Sequence, residues 1–135
     1  MAPEKINSRV RIIGYSVVTL GLLLHVAGLV LDWDGQPPTL SLAVMVWSWL
    51  PYLIAMLLLF TMRRTVIPLV AATGPLLVDV TNYFSVFVQS PSSTGSLNLL
   101  WMPFWNLIIV GPLGLVIGWI LSRTRLFDAK EYPGQ

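Results

Sequence analysis

The chain has 135 residues, 56% of them hydrophobic and only 10% charged, with a net charge of +2 and a mean hydropathy of +0.76. Soluble domains carry about 25% charged residues, so this composition belongs to a polytopic membrane protein rather than to a soluble enzyme or a nucleic-acid binder. There is no cysteine, which excludes disulfides, thiolate metal sites and thiol nucleophiles, and the single histidine, His25, excludes a bis-histidine haem within one chain.

The first apolar run, Ile12–Leu31, follows Lys5, Arg9 and Arg11. It is longer than the apolar core of a signal peptide and no small-residue cleavage pattern follows it, so we read it as a membrane helix and not a cleaved leader. Gly14, Gly21, His25, Gly28 and Asp32 recur along it at helical spacing, and the glycines are expected to admit the backbone of a neighbouring helix. The turn-forming stretch DWDGQPPT leads into a second run, Leu40–Met62, which carries Ser48, Trp49, Pro51 and Tyr52. After Arg63 and Arg64 comes a third, Thr65–Val88, with Pro75, Asp79, Asn82 and Gln89 falling on one face. QSPSSTGS separates it from the fourth, Leu97–Leu121, in which Gly111, Gly114, Gly118 and Ser122 form a small-residue stripe beyond Asn106. Pro51, Pro68, Pro75, Pro103 and Pro112 each remove a backbone donor and are expected to kink the helices and open the space between them.

All 8 basic residues lie before the first run, between the second and third, or after the fourth. The positive-inside rule then places both termini in the cytoplasm. Because backbone groups in lipid must be satisfied internally, the fold class expected is an all-α, single-domain bundle of four transmembrane helices around an intramembrane cavity. The membrane is a bacterial inner membrane or the endoplasmic reticulum. Trp49-Leu50-Pro51-Tyr52 is echoed by Trp101-Met102-Pro103-Phe104, the pattern expected if the two helix pairs arose by duplication.

Asp79 is the anomaly in this chain, since a carboxylate in hydrocarbon is costly unless paired or facing water. At 1.5 Å per residue across a core of ~30 Å, His25 and Asp79 both lie about 20 Å from the cytoplasmic face, and Trp49 and Asn106 about 13 Å from the opposite one. The four helices therefore each bring one polar or aromatic group to a common layer. The bland alternative is a structural hydrogen bond from Asp79 to Asn106 or to a tyrosine hydroxyl. The functional alternative is a pocket for an apolar ligand with one polar or cationic feature. There an acid delivers a proton to an alkene and aromatic faces stabilise the cation that forms.

The ordered set of His25, Trp49-x-Pro51, Gly74 with Asp79-Val80 and Tyr83-Phe84, and Phe104-x-Asn106 with Pro112 resembles the emopamil-binding protein superfamily, the EXPERA domain, over roughly residues 14–120. That family includes sterol isomerases and the sigma-2 receptor. The resemblance implies a four-helix fold with an intramembrane cavity for sterol-like or cationic amphiphilic ligands, with His25 and Asp79 handling protons and Asn106 lining the cavity. The chain also departs from the isomerase pattern. Leu29 stands where an acid follows the histidine, Val86 and Val88 where a second acid follows the aspartate, and Ile109 near where a tryptophan follows the asparagine. Asp32 is placed more like the acid of the sigma-2 receptor.

The expectations are then specific. His25 and Asp79 are the catalytic pair. Trp49, Tyr52, Asn82, Tyr83, Asn106 and Asp32 contact the ligand, and no metal or cofactor takes part. The partner is a sterol, terpenoid or other lipid-like molecule within the membrane; no nucleic acid is involved, and a homodimer is compatible with the chain. The activity expected is isomerisation or cyclisation through a carbocation. The alternatives are a non-catalytic sterol-, lipid- or amine-binding protein and a small structural or transport subunit.

Overall fold

The computed structural model describes residues 3–31, 38–86 and 101–124. They form four helices: α1 (Pro3–Leu31), α2 (Pro38–Thr61), α3 (Val66–Phe84) and α4, described from Trp101 to Ser122. Each contains a stretch long and apolar enough to cross a membrane, and no strand occurs among the described residues. Helix α1 begins at Pro3 rather than at Ile12, the start of the first apolar run, so its more polar N-terminal turns continue the same helix. Both α1 and α2 open on a proline, whose fixed φ and missing N–H suit a helix start.

Contacts along the helices give their directions. On α1, Gly14 meets Leu59 and Gly21 meets Tyr52, so α2 runs antiparallel to it. Gly28 of α1 meets Tyr83, and His25 meets Asp79, so α3 runs parallel to α1. On α4, Gly114 sits against Ala71 and Gly118 against Ile67, which makes α3 and α4 antiparallel. The result is an up-down-up-down bundle in which α3 touches each of the other three helices.

Helices α2 and α3 continue through Pro51 and Pro75 without a break. The irregularity is in α4, where Asn106–Val110 forms a π-helical turn and the Gly111 N–H donates to Asn106 O, five residues back. In an α register the Pro112 ring would press on the Ile108 carbonyl; the wider turn relieves that clash.

Packing uses two devices. A Cβ on Gly114 would lie 2.8 Å from the Ala71 Cα, and one on Gly118 would lie 2.8 Å from the Ile67 Cα, so α4 meets the α3 backbone directly. The α1 glycines instead receive side chains. Gly14 takes Leu59, Gly21 the ring of Tyr52 and Gly28 the ring of Tyr83, and this corrects the expectation of backbone approach on α1. The apolar core gathers Val18, Tyr52, Ala55, Leu59, Ala72 and Leu76. Large apolar side chains such as Leu23, Leu57, Leu77 and Ile108 face outward, while His25, Ser48, Thr65, Asp79, Asn106 and Ser122 are buried. Apolar outside and polar inside is the arrangement that suits a lipid solvent.

The α3–α4 contact generates a prediction. Gly114→Val forces two backbones apart and is expected to cost ~1–3 kcal/mol, read as a lowered unfolding temperature in detergent. Ala27→Val, on an exposed position, leaves that temperature unchanged. Equal stability of the two variants would show that the glycine contact does not hold the helices together.

Candidate functional site

Asp79 is 1% exposed, and a carboxylate so enclosed in apolar surroundings must draw donors from its own protein. It finds them on the other three helices. The Tyr52 hydroxyl of α2 donates to Asp79 Oδ2 at 2.6 Å. The Asn106 amide of α4 donates through Nδ2 to Oδ1 at 2.8 Å. His25 of α1 places Nε2 3.1 Å from Oδ2. A second contact extends the chain, with His25 Nδ1 3.1 Å from the Tyr83 hydroxyl. With Nε2 donating to Asp79, a neutral His25 accepts at Nδ1 from Tyr83, and a protonated one donates there instead. The string Tyr83–His25–Asp79–Tyr52 is thus a continuous path of exchangeable protons, and Asn106 braces its carboxylate.

Each member is held by local structure. Tyr52 is fully buried because Gly21 leaves the space its ring fills. Tyr83 lies one turn past Asp79 on α3, and its ring rests on Gly28. Both rings stand edge-on to the imidazole of His25, each with its centroid 5.7 Å away, so the histidine is clasped between two tyrosines. Asn106 begins the π-helical turn of α4 and is 1% exposed.

The expected residues fare differently. His25, Asp79, Asn106, Tyr52 and Tyr83 come together in one network. Trp49 does not join it. Its indole is half-buried, and Nε1 is enclosed without an acceptor. Tyr52, one turn along α2, reaches the carboxylate in its place. Asn82 lines a groove of about 440 Å³ between α3 and the start of α4, together with Leu77, Val78, Thr81, Ser85 and Met102. Asp32, Gln89 and Val88 lie outside the described residues. The internal echo does not carry over to the site, because Tyr52 is buried in it while its counterpart Phe104 is 38% exposed. At the opposite end of the bundle Arg64 donates to the Ser122 hydroxyl at 3.4 Å, and Arg123 stacks 3.9 Å over Trp119.

The central place of the two tyrosines is what the sequence reading underweighted. Its signal was present in the heptad spacing of Gly14, Gly21 and Gly28, which marks a groove on α1 that something must fill. Among the described residues four buried side-chain atoms have no hydrogen-bond partner: Arg11 Nε, Trp49 Nε1, Asn82 Nδ2 and Asn106 Oδ1. No protein-family model, curated protein or solved structure matches this chain.

Removing a single donor tests the network. Tyr52→Phe keeps the ring in its seat and deprives Asp79 Oδ2 of its shortest hydrogen bond, at an expected cost of ~1–3 kcal/mol. Tyr83→Phe removes a hydrogen bond to an imidazole at a half-buried position and is expected to cost ~1 kcal/mol or less. Unfolding temperatures of the two variants in the same detergent give the order; the reverse order would mean that Asp79 is not the centre of the network.

Proposed function

We propose that the chain is an EXPERA-type membrane isomerase or cyclase that moves protons on a sterol or terpenoid at the Asp79–His25 pair. The observation that carries this reading is the contact between a buried carboxylate and the protein's single histidine, with a tyrosine hydroxyl bonded to each of them. An acid–imidazole pair in an apolar bundle is suited to proton transfer, because both groups accept and release protons and few waters compete. A proton added to one carbon of a double bond leaves a cation on its neighbour. The same pair then removes a proton from the next carbon, and the double bond has shifted with no net consumption of protons. The rings of Tyr52 and Tyr83 provide π faces to stabilise the cation.

One observation favours a second reading. Asp79 holds contacts from three helices in the closed bundle, which is also what a binding protein needs if a ligand hydroxyl or ammonium replaces one of them. The same variant separates the two. Asp79→Asn retains the shape and accepts from Asn106 as before, but it cannot carry the proton. Turnover of a sterol or terpenoid alkene, followed by mass spectrometry of the product, is expected to vanish while the variant remains folded. Full turnover in Asp79→Asn would remove the carboxylate from the mechanism.

On the proposed reading both termini are cytoplasmic, and the complete absence of cysteine makes this simple to test. Single-cysteine variants Ser8→Cys, Thr124→Cys and Gly35→Cys are treated with a membrane-impermeant maleimide in intact cells. Gly35→Cys is expected to label directly and the other two only after permeabilisation. The opposite pattern would invert the topology.

A further inference from the structure

Asp79 and its partners occupy one half of the bundle, and the arginines gather at the far end of the other. Arg9 and Arg11 lie early on α1, Arg63 and Arg64 join α2 to α3, and Arg123 caps α4. The helix register puts them at one end. Helices α1 and α3 run parallel, and Arg11 precedes His25 by as many residues as Thr65 precedes Asp79. The described segments contain two acids, Asp79 and Glu4, and Glu4 lies more than a turn before Arg9.

Two of these arginines are tied to a single turn of α4. Arg64 Nη1 donates to Ser122 Oγ at 3.4 Å, and that hydroxyl donates in turn to the Trp119 carbonyl at 2.8 Å. Ser122 is 5% exposed, so it is a fixed seat for the arginine. Arg123 lays its guanidinium 3.9 Å over the Trp119 ring. Such a stack uses the face of the guanidinium and leaves its N–H edges for acceptors. The Arg64–Ser122 contact is long for a charged donor and engages one nitrogen. Both arginines are exposed, and neither meets an acid among the described residues.

Guanidinium edges match the oxygens of a phosphate, which accept two parallel hydrogen bonds from each fork. The surface beside the pair says which phosphate. Trp119, Ile120 and Leu121 are exposed on the same turn, and Leu113, Val116 and Ile117 continue that apolar surface along α4. An acyl chain gains from this strip, whereas a free phosphate gains nothing. We propose that Arg64 and Arg123 bind the phosphate of an anionic phospholipid whose acyl chains lie along the exposed face of α4. A zwitterionic lipid carries the same phosphate but brings its own cation to two arginines, so it is the weaker ligand. The site lies away from Asp79 and stands or falls independently of the proton chemistry.

A diffuse basic surface also attracts anionic lipid, so the experiment separates a site from a field. The full chain in detergent is titrated, by native mass spectrometry, with phosphatidylglycerol, with phosphatidylcholine of the same acyl chains and with glycerol 3-phosphate. The first phosphatidylglycerol is expected to bind about tenfold more tightly than phosphatidylcholine, the effect of one hydrogen bond to a charged group. Glycerol 3-phosphate is expected not to bind at the same concentrations. Arg64→Gln combined with Arg123→Gln is expected to reduce the lipid preference to about twofold or less. Lys5→Gln combined with Arg9→Gln removes the same charge from the same end and is expected to keep the preference. If the first pair does not fold, Arg64→Lys with Arg123→Lys keeps the charge but loses the fork, and the preference is expected to fall about threefold. Three results would overturn the site. One is equal binding of the two lipids to the unaltered protein, as when Asp128 and Glu131 of this chain occupy the arginines. Another is an equal loss of preference in the two glutamine pairs, or an unchanged preference in the lysine pair. The third is glycerol 3-phosphate binding as tightly as phosphatidylglycerol.

Discussion

A carboxylate enclosed in an apolar bundle has to be met by donors, and in this protein that requirement organises the structure. Asp79 takes one contact from each of α1, α2 and α4. None of these helices can slide by a turn, or rotate by a third of one, without leaving a polar group unpaired in surroundings where that is costly. In lipid there is little hydrophobic drive to bring helices together, so association depends on close packing and on polar contacts between them. Asp79 supplies the polar contacts for three interfaces at once. It therefore sets the register of the bundle as well as its centre.

The glycines make the same point from the packing side. Tyr52 can reach Oδ2 because Gly21 leaves its ring a seat, and Tyr83 can reach His25 because Gly28 does the same. A side chain at either glycine would run into the tyrosine ring that positions the proton path. On α4, Gly114 and Gly118 draw the backbone onto α3 at the end away from Asp79, while the π-helical turn at Asn106–Val110 lets the helix pass Pro112 and still present the Asn106 amide inward. Close packing at one end of α3 and α4 follows from where the glycines fall in the chain.

Much of this was legible in the residues. Four apolar runs separated by turn-forming stretches specify four helices, because length and hydropathy alone decide whether a segment can span a membrane. The common level of His25, Asp79 and Asn106 followed from helix rise. What rise cannot convey is azimuth. Trp49 and Tyr52 both satisfy the depth argument, and only packing against Gly21 selects the tyrosine. The π-helical turn was equally out of reach, since Pro112 advertises a disturbance without saying whether the helix kinks or widens. Asp32, by contrast, lies outside the described residues, so the one candidate acid beyond the network has no structural placement here.

On the proposed function, stability and activity are opposed at Asp79. The carboxylate is 1% exposed, so any substrate or ligand that reaches it must displace one of its three partners. Tyr52 is wedged in the core and His25 is clasped by two rings, whereas Asn106 sits on the irregular turn of α4. Whichever partner moves, the exposed lone pair needs a replacement donor from whatever enters. A ligand hydroxyl meets that need by binding, and a proton meets it by chemistry. On the proposed function, the constraint that locks the helices together is thus also what would make the site selective, because an occupant with nothing to donate leaves the carboxylate worse off than the closed bundle does.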